Sequence, residues 1–162
     1  MAANAAAIPA IGRKVPCEKC PLRDKPVLRD FTPEELAFVA EFKSGELHAE
    51  PGMTLFMQQT NSAHLYTLLS GWTFRYKMLP DGRRQITGFA GPGHFLGLAV
   101  STAYAFSAEA VEPMRICRFS RTKLKAFLDD FPAMEKRLLE VASNELVAAQ
   151  EQMLLLGRKT AR

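Results

Sequence analysis

Residues His64 to Gly97 read HLYTLLSGWTFRYKMLPDGRRQITGFAGPGHFLG. Short apolar or alternating runs are cut here, at regular intervals, by turn residues. His64 to Leu69 forms a strand that ends at Ser70-Gly71. From Trp72 to Leu79 the residues alternate, placing Trp72, Phe74, Tyr76 and Met78 on one face, and that aromatic face predicts core. Pro80-Asp81-Gly82 is a hairpin turn, since proline presets φ and glycine supplies φ > 0. Arg83 to Ala90 is the returning strand, with Arg83-Arg84 solvated just past the tip. Gly91-Pro92-Gly93 turns the chain again.

Working outward, Pro51-Gly52 is a turn ahead of a strand at Thr54–Met57. Phe106–Val111 and Met114–Phe119 are two more strands, split by Glu112-Pro113. Roughly seven short strands at 8–12-residue spacing predict an antiparallel sandwich or barrel. Helical signals flank them. Thr32 with Glu35 three residues later is a capping box, and Pro33 sits at the first helical position. Leu36, Val39, Ala40 and Phe42 give that helix an apolar side. Ser120 is placed to cap a helix ending at Asp129 or Asp130, and Pro132 to start a longer one through Leu156.

In the long helix Leu139, Ala142, Leu146, Ala149, Met153 and Leu156 recur at spacings of 3 and 4, a heptad seam. Such a seam packs on its own barrel or on a second copy. The narrowness of the stripe favours a homodimer.

Composition bounds the function. The chain has 162 residues, 48% apolar and 23% charged, which excludes disorder as its main state. No run approaches the ~18 apolar residues of a membrane span, so no membrane partner is expected. The Ala-rich start, Met1–Ala10, lacks the parts of a secretory signal. Three cysteines are too few for a disulfide scaffold, which points to a reducing, cytoplasmic setting. The net charge is +4, yet residues 31–120 hold 7 basic and 8 acidic side chains. No concentrated basic face exists to make the chain a nucleic-acid binder by itself. No catalytic dyad, phosphate-cradling loop or H-x-H pair is present, so the reading is not an enzyme.

The order short helix, antiparallel β-roll, short helix, heptad helix resembles the sensor half of the CRP/FNR family of bacterial transcription regulators. Leu69-Ser70-Gly71 looks like the family's "SG" turn. Leu79 to Phe89 is similar to the hairpin of the FNR and FixK branches. Gly91-Pro92-Gly93-His94-Phe95-Leu96-Gly97 resembles the turn leading into the effector pocket, with His94 where Asp is usual. Ala105 to Val111 looks like the strand leaving that pocket, and Gln152 to Ala161 like the end of the dimerisation helix. The resemblance covers about residues 30–162.

The fold it implies is α+β: a double-stranded β-helix, or jelly roll, of cyclic-nucleotide-binding type, with short flanking helices and a long C-terminal dimerisation helix. The implied divisions are a flexible tail with the C-x-x-C segment over 1–30, the sensor roll over 31–130 and the dimer helix over 131–162. In the family the chain then continues into a winged helix-turn-helix. This chain ends at Arg162, so contact with DNA is expected only through a missing domain. The alternative is a stand-alone or dominant-negative module.

Cyclic-nucleotide binders of this fold use a glycine turn and a following Glu, then an Arg-Ser pair on the next strand. Here these positions are Gly97, Leu98 and Phe106-Ser107. Both charged contacts are absent, and a phosphate buried beside Phe106 would lack a counter-ion, so cAMP is not expected. The oxygen-sensing FNR branch holds a [4Fe–4S] cluster on three N-terminal cysteines and one in the late roll. Cys17, Cys20 and Cys117 occupy three such positions, and Pro26 stands at the fourth. An iron–sulfur cluster on three cysteines and an outside ligand is one reading. A zinc site completed by His48, His64 or His94 is another, and a thiol redox pair of Cys17 and Cys20 a third. Buried structural thiols are the plainest alternative.

Overall fold

Antiparallel pairing of short strands builds the structure, a computed structural model that describes residues 11–12, 15–25, 29–98 and 101–158. Of the tail expected over residues 1–30, residues 1–10, 13–14 and 26–28, Pro26 among them, lie outside the described residues, as do the chain from Lys159 onward and the side chains of Leu155 and Leu156. The strands are β1 (Ile11–Gly12), β2 (Lys43–Ala49), β3 (Thr54–Phe56), β4 (His64–Ser70), β5 (Thr73–Met78), β6 (Arg84–Ala90), β7 (Phe95–Leu96), β8 (Ser107–Ala110) and β9 (Met114–Ser120). They form two sheets, one ordered β1-β2-β9-β4-β7 and the other β3-β8-β5-β6. This is the expected jelly roll. β1, β2 and the two-residue β7 are additions that alternation alone does not reveal.

The helices are α1 (Pro33–Phe42), α2 (Arg121–Asp130) and α3 (Pro132–Arg158). α1 starts where the capping box predicts. Glu35 N–H donates to Thr32 Oγ1 at 3.2 Å, and Thr32 N–H donates to Glu35 Oε2 at 2.7 Å. It buries Leu36, Val39 and Phe42, whereas Ala40 is exposed. The chain divides into two compact units, residues 1–124 and 125–162. In the second unit the rings of Phe127 and Phe131 meet at a tilt, 5.2 Å apart, where α2 gives way to α3.

The core of the first unit lies between the sheets. Leu47, Ile116, Leu68 and Tyr66 come from the first sheet, Phe56, Ala90, Ala108 and Ala110 from the second, and Leu96 and Tyr104 complete it. Here the aromatic alternation is corrected. The residues of β5 that face this core are Thr73, fully buried opposite Ala90 and Ala110, and Arg75, opposite Gly88 and Ala108. Trp72 and Met78 are half-exposed, and Phe74 pairs with an exposed Phe89. The reason is volume. Phe56, Tyr66 and Tyr104 project into the roll, so the wall opposite must be built of small residues. Tyr76 is buried all the same, on the outer face, under Phe74 at 5.6 Å and the Arg84 guanidinium at 5.1 Å. Arg84 also pairs with Glu109 at 2.8 Å, so of the two arginines past the hairpin only Arg83 is largely free in solvent, tied to Asp81.

Candidate functional site

Two places in the roll hold the residues that the sequence singles out. The first is the interior turn. Gly97 has φ +78°, and a Cβ there would sit 2.9 Å from Tyr104 and 3.0 Å from the His64 carbonyl, so only glycine fits. Leu98 beside it is exposed. Ser107 is buried and its Oγ accepts the Gln58 N–H at 3.0 Å. Phe106 packs against the core with its ring 5.6 Å from that of Phe56. Phe56 in turn stacks on Tyr104 at 4.2 Å and on Tyr66 at 5.6 Å. Aromatic rings thus occupy the space in front of Phe106, whereas Ser107, opposite Tyr76, is on the other face of β8. Burial holds the Tyr66 hydroxyl protonated well above its usual 10.

One feature of this turn was not visible in the spacing. The Arg75 guanidinium lies over the Phe106 ring, 5.6 Å from its centroid. A cation therefore stands beside Phe106 after all, supplied from β5 rather than from the strand that carries Phe106. The hint was present in the sequence: an arginine between Phe74 and Tyr76 faces inward once the aromatic face is turned outward.

The second place is the outer face of the first sheet. Cross-strand register sets Glu46 of β2 opposite Cys117 of β9, and Cys117 opposite Thr67 of β4. Directly opposed residues share a face, with Cβ atoms about 4.5–5.5 Å apart. Three polar side chains therefore stand in a row. A bulge at Ser44 turns Lys43 onto the same face. Over the row lie Leu36 and Val39 of α1 and a 3-10 turn, Cys17–Lys19, with Cys20 at its end. All of these line a cavity of about 30 Å³, together with Val15, Leu22, Leu69 and Phe119. The structure thus gathers Cys17, Cys20 and Cys117 around one void, although about a hundred residues separate Cys117 from the pair.

Charge in this buried place is paired. Glu46 Oε1 accepts from Lys43 Nζ at 2.7 Å and from the Val15 N–H at 2.6 Å, and Oε2 accepts from Arg115 at 3.1 Å. Lys43 also donates to the Val15 carbonyl at 2.8 Å. Burial by itself would raise the Glu46 carboxyl, but the bonds from Lys43, Val15 and Arg115 together hold it below its usual 4.5. For Lys43 burial works downward, and the Glu46 bond with the neighbouring thiols outweighs it, keeping the ammonium above 10.5. Burial pushes the Cys17 thiol up, and the Cys117 thiol up to about 12, against the opposing pull of Lys43. Lys43, Glu46 and Thr67 were not legible as site residues, because only the register brings them to the cysteines.

The donors at this cavity are three thiols and the Glu46 carboxylate, and Glu46 is already bonded to Lys43, Val15 and Arg115. Among the described residues no three His, Cys, Asp or Glu side chains converge as metal ligands. None of His48, His64 and His94 lines the cavity. His94 instead turns its Nδ1 to the Gly91 backbone.

The heptad positions lie on α3 in the second unit. Leu139, Leu146 and Met153 are 67%, 60% and 63% exposed, and Ala142 and Ala149 are exposed too. The side chain of Leu156 lies outside the described residues. No helix among the described residues is long and apolar enough to cross a membrane.

A β-roll with a glycine turn facing its interior defines a class, and comparison with known proteins agrees. Residues 46–131 match the family described as "Cyclic nucleotide-binding domain". The chain belongs to that family. It is similar to the nitrogen fixation regulation protein FixK of Bradyrhizobium diazoefficiens, 37% identical over 90% of this chain and 61% of that protein. It is also similar to the transcriptional activatory protein AadR of Rhodopseudomonas palustris, 44% identical over 68% of this chain and 46% of the relative. The chain therefore spans about half to three-fifths of the length of these relatives. Among solved structures, FixK2 from Bradyrhizobium japonicum aligns with a TM-score of 0.66 at 30% identity, covering 71% of this chain and 58% of that one. The catabolite activator protein of Thermus thermophilus shares the fold, with a TM-score of 0.67 at 21% identity over 82% of this chain and 63% of its own.

Proposed function

We propose that this chain is the sensor and dimerisation part of a CRP/FNR-type transcription regulator, with DNA reading carried outside these 162 residues. One observation carries the reading: the heptad seam of α3 is apolar and exposed at Leu139, Leu146 and Met153. Leaving such a seam in water forfeits about 1.5–3 kcal/mol for each large side chain, and a second copy of the helix recovers it. Relatives that are transcriptional activators support the regulatory role. The mechanism is two-state. A signal at the roll or at the cysteine turn shifts how the paired helices pack, and that shift repositions two DNA-reading parts on a palindromic site. Couplings of this kind are worth ~1–3 kcal/mol.

Leu98 and Phe106 stand where a cyclic nucleotide needs Glu and Arg, and aromatic rings fill the adjoining space. The signal is therefore something other than a cyclic nucleotide. Sedimentation equilibrium tests the dimer. The chain is expected to sediment as a dimer at tens of micromolar, and Leu146→Lys as a folded monomer. A monomeric wild-type chain overturns the reading.

A further inference from the structure

The turn that carries Cys17 and Cys20 has a chemistry of its own, independent of whether α3 pairs. Cys17 opens the 3-10 turn, and Cys20 closes it with its N–H donating to the Cys17 carbonyl at 3.3 Å. In a 3-10 turn, residues three apart are eclipsed, and a rise of ~2.0 Å per residue sets their Cα atoms about 6 Å apart. A disulfide requires about 4.4–6.8 Å. Both thiols are free, and both border the same cavity of about 30 Å³, so the two side chains leave the turn on one side. Cys117 reaches that cavity from the sheet, which Lys43 also lines.

Exposure assigns the order of events. Cys17 and Cys117 are buried, whereas Cys20 is partly open to solvent. A small oxidant meets Cys20 first, and Cys17 is the thiol placed to resolve the product.

We infer that Cys17 and Cys20 form a reversible disulfide in response to hydrogen peroxide, with Cys117 as a bystander. In the first step the Cys20 thiolate attacks a peroxide oxygen. The S–O bond forms and the O–O bond breaks, and the departing hydroxide takes up a proton and leaves as water. In the second step the Cys17 sulfur attacks the Cys20 sulfur. The S–S bond forms, the S–O bond breaks, and hydroxide leaves with the Cys17 proton as a second water. The thiol pair loses two electrons and the peroxide gains them. A dithiol reductant reverses the change.

The turn is joined to the body of the roll. Val15, two residues before Cys17, holds Glu46 through its N–H and Lys43 through its carbonyl. The covalent state of the turn is thus tied to the buried ion pair on β2.

Peptide mapping tests the assignment. Trypsin cuts after Lys14, Lys19, Arg23, Arg115 and Arg118, so the three cysteines fall in separate peptides, VPCEK, CPLR and ICR. The folded chain is treated with stoichiometric hydrogen peroxide, alkylated in urea, digested and weighed. The expected result is a VPCEK–CPLR species that dithiothreitol separates, with ICR fully alkylated, so two of the three thiols are lost to alkylation. Cys117→Ser is expected to give the linked species at the wild-type yield, and Cys20→Ser to leave both remaining thiols alkylatable. Three thiols that stay alkylatable, a link to ICR, or Cys20 trapped as sulfinic acid in place of the disulfide each overturn the proposal. The wild-type mapping stands without the variants, should either fail to fold.

Discussion

Lys43 directs its ammonium protons inward, to the Val15 carbonyl and to Glu46. Its side chain is 5% exposed and that of Glu46 is inaccessible to solvent. Removing Lys43 leaves the partly exposed Arg115 as the remaining counter-ion of Glu46, a loss at the lower end of the about 3–5 kcal/mol that a stranded buried charge costs. Lys43→Met is therefore expected to lose about that much in urea unfolding at pH 7. Lowering the pH should narrow the gap to wild type, because protonating Glu46 removes the charge that Lys43 no longer balances. In the wild type the signs run oppositely for the two partners. The Glu46 carboxyl is held below 4.5, so its contribution is present above that pH and fades as pH falls through its folded value. The Lys43 ammonium is held above 10.5, so its contribution is present below that pH and fades in more alkaline solution. A Lys43→Met chain as stable as wild type at pH 7 would show that the pair contributes nothing.

At the scale of elements, turns decide how the strands meet. The Ser70-Gly71 turn joins β4 of one sheet to β5 of the other. Gly71 has φ +83°, and a Cβ there would lie 2.6 Å from Met114 Cβ and 2.7 Å from the Pro113 carbonyl. Neither neighbour is the far end of a flexible side chain. Gly71→Ala combines a left-handed backbone, about 1–2 kcal/mol for an L-residue, with overpacking of about 1–3 kcal/mol. We expect a loss on the order of 3 kcal/mol, read as a lower urea midpoint at unchanged slope. Gly82, also at positive φ (+84°), has nothing within 4 Å, so Gly82→Ala should cost only the backbone share.

At the scale of the molecule, aromatic packing fills the roll beside its glycine turn. Phe56, Tyr104, Tyr66 and Phe106 form one aromatic cluster behind Gly97, and the Arg75 guanidinium rests on its edge. A nucleotide would have to displace buried rings, and at Leu98 it would find no carboxylate for its ribose. Titration calorimetry with cAMP at millimolar ligand is expected to show no saturable heat. Saturable binding would mean that the rings move aside and that Arg75 serves the phosphate.

Local signals carried far in this chain. The capping box of Thr32 and Glu35 and the Gly/Pro turns act within a few residues, and so the helix start and the strand breaks could be read directly. The heptad seam is legible for the same reason, being a periodicity of one helix. Which face of β5 points inward could not be read so. Alternation defines two faces, and the choice between Trp72-Phe74 and Thr73-Arg75 depends on the volume that Phe56, Tyr66 and Tyr104 fill from across the roll. The same holds for the cysteine cavity. The C-x-x-C pair is a local motif, but its meeting with Cys117, Glu46, Thr67 and Lys43 rests on the register of three strands and a bulge at Ser44. Register is a non-local choice, set by which hydrophobic faces can be buried together, and no stretch of sequence contains it.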